Sequence, residues 1–169
     1  MTGKAHALAY GFEGQVVLLH EFLPGDFFGA IASAEPEPED ANIVAAEELR
    51  AAVFLALDFL TLVETYGCVA LAVTRTLLKQ MRASAARMAE RTTLSAAGRV
   101  HVELLRLARL GDGRTVRPAP VLASLAVRVQ STRETVSRTI NALERRGIIR
   151  REENALVIMA PHRLEEMIV

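Results

Sequence analysis

Apolar and polar positions change their spacing three times along the chain. Through residues 11–60 the apolar positions come in short runs, QVVLLHEFL, ANIVAA and RAAVFLAL, separated by Gly14, by Pro24-Gly25-Asp26 and by the EPEPED segment at 35–40. Runs of this length, rich in Val, Ile, Leu and Phe and bounded by turn residues, predict short strands of a small antiparallel β-structure. From Cys68 to Arg91 there is no Gly or Pro, and Leu71, Leu78, Ala85 and Thr92 recur every seven residues, with Thr74, Met81 and Met88 between them. That spacing predicts one long helix with a weak coiled-coil seam, the alternative being a helix packed only on its own domain.

Beyond Arg91 the pattern becomes that of shorter amphipathic helices. Ser95 is a plausible N-cap for the first, and Val100, Leu104, Leu107 and Ala108 carry its apolar face to Gly111. GDGRTVRPAP reads as a loop. Leu122, Leu125, Ala126 and Val129 mark one face of a second helix, and a break at Gln130-Ser131 separates it from a third. Ser131 or Thr132 can cap that third helix, with Glu134 available for a capping box from Ser131. Val136, Ile140 and Leu143 give it a buried face, and Gly147 ends it. GIIRREENALVIMA predicts two short strands around a turn at 151–154. Helix, helix, short break, helix and β-hairpin in that order is a winged helix-turn-helix.

If Val136, Ile140 and Leu143 face the core, then Arg133, Glu134, Ser137 and Arg138 project from the first turns of the other side. The N-terminal residues of a recognition helix are those that meet base edges in the major groove. Arginine can bond guanine O6 and N7 with both arms of its fork, and glutamate can accept from cytosine N4. Ser131, Thr132 and Thr135 offer hydroxyls and helix N–H groups to phosphates, and Arg145 offers a charge that all sequences share. A merely solvated face is the alternative for any charged helix; here the flanking architecture weighs against it.

Charge sharpens this picture. The 169 residues carry no formal net charge, but residues 1–98 hold 12 acidic and 7 basic side chains while residues 99–169 hold 8 acidic and 13 basic, all of them arginine. A basic half on a neutral chain points to a polyanion partner for that half, an arginine-rich composition being the bland alternative. Hydrophobic residues make up 51% of the chain, enough for a core, yet the longest apolar stretch, LRAAVFLALDFLTLV, is broken by Arg50 and Asp58. It falls short of the roughly 20 residues a membrane span needs, so no membrane is expected. The N-terminus lacks a signal-peptide pattern, which leads to a cytoplasmic expectation. The single cysteine, Cys68, excludes an intramolecular disulfide and reads as an inert buried thiol.

LASLAVRVQSTRETVSRTINALERRGIIRREENALVIM resembles the C-terminal domain of the Crp/Fnr transcription regulators, whose recognition helix carries an S-R-E-T-V-S/G-R motif. VLLHEFLPGDFFG is similar to the effector-domain signature of that family around a G-D-x-x-G turn, here Gly25 to Gly29. The resemblance implies an α+β protein: a truncated antiparallel jelly-roll effector domain over residues 1–66, a dimerisation helix over 67–92 and a winged helix-turn-helix over 93–169. It implies a homodimer joined through Leu71, Leu78, Met81, Ala85 and Met88, bound to a pseudo-palindromic operator on double-stranded DNA. It further implies base contacts from Arg133, Glu134 and Arg138, with Ser137 at a position used by the Fnr branch. RNA polymerase is a further expected partner, and neither an enzyme activity nor a cofactor is expected.

Three departures qualify the resemblance. Only about 65 residues precede the long helix, so the opening strands of the roll are expected to be missing and sheet edges to be exposed. Gln130 stands where the family usually has a turn glycine. In the phosphate-binding cassette, Ala30 and the pair Glu39-Asp40 occupy the positions of a glutamate and an Arg-Ser pair, while Ser84 keeps one hydroxyl near where the family contacts a purine. A cyclic-nucleotide phosphate needs a cation and oriented donors, so this degenerate cassette, with Gly25 and Gly29, predicts no cAMP response. The effector, unknown in identity, is expected to be absent, uncharged or cationic. A rival reading is a regulator with a decayed sensor. A cupin-like metal enzyme built on His20-Glu21 lacks a second histidine two residues on, where Phe22 stands, and His6, His101 and His162 are scattered.

Overall fold

Residues 2–11, 16–29 and 41–168 are described by the computed structural model, and they divide into two units within one helix, after Arg87. In the first unit three strands, β1 (Ala5–Tyr10), β2 (Val16–Phe22) and β3 (Asn42–Ala45), form an antiparallel sheet in the order β2-β1-β3. Ala5 pairs with Phe22 on one side and Ala45 on the other, and a register shift between Ala7 and Leu8 bends the ladder. Alternation places Ala5 and Ala7 on one buried face, and Leu18, paired with Leu8 beyond the shift, is buried as well.

β1 is the central strand and the one that the hydropathy pattern did not announce. AHALAY holds three alanines, a residue depleted in strands, and its place is set by the backbone partners on both sides rather than by propensity. The reverse holds for RAAVFLAL, expected as a strand. Only Arg50 bridges to Thr2; residues 51–55 have no ladder, and the chain enters helix α1 (Ala56–Thr65) within the predicted strand. Strand propensity expresses fit to a pleated, half-buried surface, and without a neighbour that surface does not exist. Val53 is 91% exposed as a result.

Helix α2 (Gly67–Thr93) meets α1 at a bend of 111°. Its half-buried positions are 69, 70, 73, 76, 80, 83, 87 and 90, which apart from 70 follow a four-three spacing. Within the first unit Arg87 donates to the Leu19 carbonyl at 3.0 Å and Gln80 to that of Phe27 at 3.5 Å. Cys68 is exposed, not buried, because it stands in the first turn of α2 on the side away from those contacts. Among the described residues no single helix is long and apolar enough to cross a membrane.

The second unit holds α3 (Ala96–Arg109), β4 (Thr115–Val116), α4 (Leu122–Val129), α5 (Arg133–Arg145), β5 (Ile149–Glu152), β6 (Ala155–Ile158) and α6 (Pro161–Glu166). The strands form a second antiparallel sheet, β4-β6-β5. Ser95 caps α3 by accepting from the Gly98 amide at 3.1 Å. Val100, Leu104, Leu125, Val136, Ile140, Leu143, Ile158 and Leu164 are at most 1% exposed and make one core. Removing each such side chain from water stabilises the fold by about 1.5–3 kcal/mol. Two elements went unread in the sequence. β4 lies inside the expected loop because Asp112 folds back on the Arg114 and Thr115 amides, at 2.8 and 2.6 Å, and delivers Thr115 and Val116 to β6. α6 is one short stretch whose start is fixed by Pro161 and whose place is fixed by buried Leu164.

Candidate nucleic-acid interface

α5 starts at Thr132, whose hydroxyl oxygen accepts from the Thr135 amide at 3.2 Å. The capping box expected from Ser131 is therefore replaced by a cap one residue later, and Glu134 takes a different role. Its carboxyl is held below the usual carboxylate range by its own backbone N–H, then by the Thr132 hydroxyl, with Arg133 and Arg138 adding smaller attractions. Glu134 is thus ionised and oriented, ready to accept hydrogen bonds. Arg138 donates to the Thr135 hydroxyl at 3.3 Å, which ties the first two turns together.

With 3.6 residues per turn, Glu134, Arg138, Asn141 and Arg145 fall on the stripe opposite Val136, Ile140 and Leu143. All four are exposed, as is Arg133, while Ser137 is half-buried. Arg133 and Ser137 project from one flank of that stripe rather than from its centre. Ser131, Thr132 and Thr135 cluster at the N-terminal end of the helix, and Arg145 lies three turns away at the other end.

The hairpin β5-β6 leans on this same helix. Arg151 donates to the Asn141 side-chain oxygen at 2.5 Å and approaches the Glu144 carboxylate at 3.5 Å. The sequence reading did not single out Asn141 or Arg151; the available signal for Asn141 was that it follows Arg138 by three residues on the same stripe. Arg150, beside Arg151, is exposed and paired with Glu152 at 2.9 Å.

The turn between α4 and α5 is built like the end of α5. At the latter, Gly147 has φ +65°, its amide donates to Glu144 and the Ile148 amide donates to Leu143, a Schellman arrangement. At the former, Gln130 takes the left-handed position with φ 48° and ψ 62°; its amide donates to Val127 and the Ser131 amide to Ala126. A side chain in that conformation costs about 1–2 kcal/mol that glycine avoids. Arg99 of α3 supports the site: Nε donates to the Val129 carbonyl at 2.8 Å, Nη2 to Gln130 at 3.2 Å and Nη1 to Leu94 at 3.0 Å. Nothing in the sequence marked Arg99, since its partners lie up to 31 residues away.

Buried charge is matched nearby. Glu103 is 4% exposed and bonds Arg106 at 2.5 Å and Arg128 at 3.4 Å, while Arg106 also reaches Glu90 at 2.6 Å. His101, equally buried, bonds the Met167 carbonyl through Nδ1 at 3.3 Å. Burial holds its pKa below 6.5 against that bond, and Arg146 adds to the lowering, so the ring is neutral with the proton on Nδ1.

In the first unit, the turn at Gly25-Asp26 is closed by Asp26, whose carboxylate accepts from the Leu23 amide at 2.9 Å; Gly25 and Gly29 have φ of +97° and +112°. A cleft of about 370 Å³ opens beside it, lined by Asp26, Phe27, Phe28, Val53, Phe54 and Phe59 among others. Ala30, Glu39 and Asp40, the expected cassette positions, lie outside the described residues. Ser84 is exposed on α2. Leu71, Leu78, Met81, Ala85 and Met88 are exposed too, on the side of α2 opposite its half-buried positions. His20 accepts from Arg87 at 3.3 Å, and burial first, then Arg87, lowers its pKa. Among the described residues no three His, Cys, Asp or Glu side chains gather as metal ligands.

Two domain models match the chain in succession: a cyclic nucleotide-binding domain over residues 1–66 and a Crp-like helix-turn-helix domain over residues 98–167. A cyclic AMP receptor protein of Thermus thermophilus is 26% identical over 166 residues, 98% of this chain and 76% of that protein. Among solved structures, a Crp-family transcriptional regulator of the same organism is 23% identical with a TM-score of 0.78, covering 99% of this chain and 84% of that one. FixK2 of Bradyrhizobium japonicum is 19% identical with a TM-score of 0.77 and the same coverage. The c-di-GMP responsive regulator CLP of Xanthomonas campestris is 15% identical with a TM-score of 0.71, over 93% of this chain and 81% of that one. The chain belongs to the Crp/Fnr family, whose members are transcription regulators and not enzymes. It carries the helix-turn-helix and the cyclic-nucleotide-binding-type domain of that family.

Proposed function

We propose that the protein is a homodimeric, cytoplasmic, sequence-specific DNA-binding regulator that does not use cAMP. In this reading α5 enters the major groove, where Arg133, Glu134, Ser137 and Arg138 meet base edges while Ser131, Thr132, Thr135 and Arg145 contact phosphates. Two copies pair through Leu71, Leu78, Met81, Ala85 and Met88, and present their recognition helices to inverted half-sites about one helical turn, roughly 34 Å, apart. RNA polymerase is the partner that would turn binding into regulation.

One observation carries the reading: a helix whose buried stripe is Val136, Ile140 and Leu143 presents oriented, ionised Glu134 and exposed Arg138 on the opposite stripe. A selection from random duplexes tests it. The wild-type chain should recover an inverted repeat, and Arg138→Ala or Arg133→Ala should cost about 1–3 kcal/mol and relax the preference at one base pair. Arg145→Ala should weaken all duplexes alike. An unchanged consensus in both base-contact variants would refute the assignment of this face.

The effector part of the proposal rests on charge. The EPEPED segment holds four carboxylates in six residues where the family's cassette would meet an anionic phosphate. Like charges about 4 Å apart repel by about 1 kcal/mol in bulk water and by more when partly buried. The cleft beside Asp26 adds a lining rich in aromatic rings, suited to an uncharged molecule, the Asp26 carboxylate being engaged by the Leu23 amide and 3.9 Å from Lys79 Nζ. A second reading, regulation without any effector, draws on how little the first unit buries: among its described residues Ala5, Ala7 and Leu18 are the buried hydrophobics. Limited proteolysis separates the two, because an effector-binding unit gains protection when its ligand is added and a decayed one does not.

A further inference from the structure

We propose that Arg99 is a positioning residue for operator recognition, holding the turn that aims α5 and tying that turn to the end of α2. The inference rests on the reading of α5 as the base-contacting helix.

The geometry is specific. A single guanidinium donates from Nε, Nη1 and Nη2 to three main-chain carbonyls, two of them, Val129 and Gln130, at the turn between α4 and α5. The third, Leu94, follows the last residue of α2 and precedes the cap of α3. Carbonyls at the end of a helix carry the negative pole of its dipole, so a fixed cation suits them. A planar fork can reach three oxygens in different directions, which the point charge of a lysine ammonium cannot do from one rotamer.

The need for such a hold comes from Gln130. A non-glycine residue at φ 48° persists where its surroundings over-determine it, and this residue is the hinge between α4 and α5. If Gln130 relaxed toward the right-handed region, the Ser131 amide would leave the Ala126 carbonyl and α5 would start at a different angle. The base-facing side chains would then miss base edges while the arginines still met phosphates. Because the Leu94 carbonyl shares the same guanidinium, a shift of the α2 end relative to α3 would reach the turn through one side chain. Arg99 itself touches no base; it acts through backbone geometry.

The test uses the full chain with Arg99→Lys, Gln130→Gly, their combination, and Arg138→Ala. Affinity is measured for the selected operator and for a scrambled duplex at one salt concentration. Arg99→Lys should lose about tenfold or more in operator affinity, in line with losing charge-assisted bonds, while scrambled-duplex affinity stays within about twofold. Adding Gln130→Gly should restore most of the loss, because glycine holds the left-handed turn without help. Wild-type operator affinity in Arg99→Lys, alongside a lost preference in Arg138→Ala, would overturn the positioning role and leave the recognition helix standing. So would a loss that Gln130→Gly does not restore. An Arg138→Ala variant with unchanged preference would overturn the recognition helix and, with it, this role. Should Arg99→Lys fail to fold, recovery of folding and operator binding in the double variant supports the role, and a double variant that also fails to fold refutes it.

Discussion

The two units of this chain solve the same problem, burying an apolar face, with different resources. The second packs helices α3, α4 and α5 and a small sheet around one core in which Leu104, Val136, Ile140 and Leu143 are nearly inaccessible. The first sets three short strands beside part of α2, and its buried hydrophobic side chains among the described residues are two alanines and a leucine. Val53, Phe54 and Leu55 stay exposed there at 91%, 54% and 73%. What the difference teaches is that the side chains behind α5 need no residue of the first unit to form a core. The core that aims α5 is completed by residues of its own unit.

The strongest test of that contrast is to remove core volume from each side. Ile140→Ala should cost about 3–5 kcal/mol, because it leaves a cavity in a site closed on all sides. Leu18→Ala should cost nearer ~2 kcal/mol, since a sheet with an open face can relax around the change. Amide exchange read at Ile158 and at Leu8 during a urea titration reports each unit separately. Equal losses, or a loss at both reporters from Ile140→Ala alone, would show that the units unfold as one.

A change on α2 is expected to come next in size. Leu78 lies on the exposed side of the helix, and Leu78→Glu would put a charge into the proposed two-fold seam at a cost of roughly 2–4 kcal/mol to association. Sedimentation should find the variant as a monomer, with operator affinity reduced because one copy reaches only one half-site. A dimer that binds as the wild type does would remove the seam and leave α2 as a helix that serves only its own chain.

These contrasts also explain what could be read in advance. α3, α4 and α5 were legible because each carries its own apolar period and its own punctuation: Ser95 before one, Thr132 before another, Gly147 after it. Nothing distant has to be known to find them. The strands of the first unit were less legible because a strand is defined by its neighbour. RAAVFLAL had the composition without a partner, and AHALAY had the partners without the composition. On α5 the helix period places Glu134 and Arg138 opposite the buried stripe, whereas Arg133 and Ser137 lie on its flank and Ser137 is half-buried. The bonds of Arg99 and Arg151 did not follow from the sequence, since their partners are selected only by the fold.

A smaller effect should appear at the wing. Arg151→Ala removes the bond to Asn141 and the approach to Glu144, both on exposed groups, so stability should fall by no more than about 1 kcal/mol. Operator affinity should drop further than stability does, because the hairpin would no longer be braced against α5. A variant with full operator affinity would mean that the wing needs no brace.

The least of the effects separates the units by pH. His101 is 4% exposed, and burial, with Arg146 adding to it, holds its pKa below 6.5 despite the hydrogen bond to Met167. Below about pH 6.5 the unfolded chain therefore binds a proton at this position that the folded chain does not, and the second unit becomes less stable as pH falls toward the folded-state value. Above that pH both forms are neutral there and the contribution is constant. His20 is shifted in the same direction by burial and by Arg87, but it is only half-buried, so its opening is easier and its share of the loss smaller. His101→Gln, which can keep a donor toward the Met167 carbonyl without titrating, should flatten the acid side of the second unit's stability profile while leaving that of the first unit alone. The check is the urea midpoint at Ile158 and at Leu8 measured from about pH 7.5 down to about 5, the window below the ordinary histidine pKa. An unaltered slope at Ile158 in His101→Gln would show that His101 does not set the acid sensitivity of the second unit.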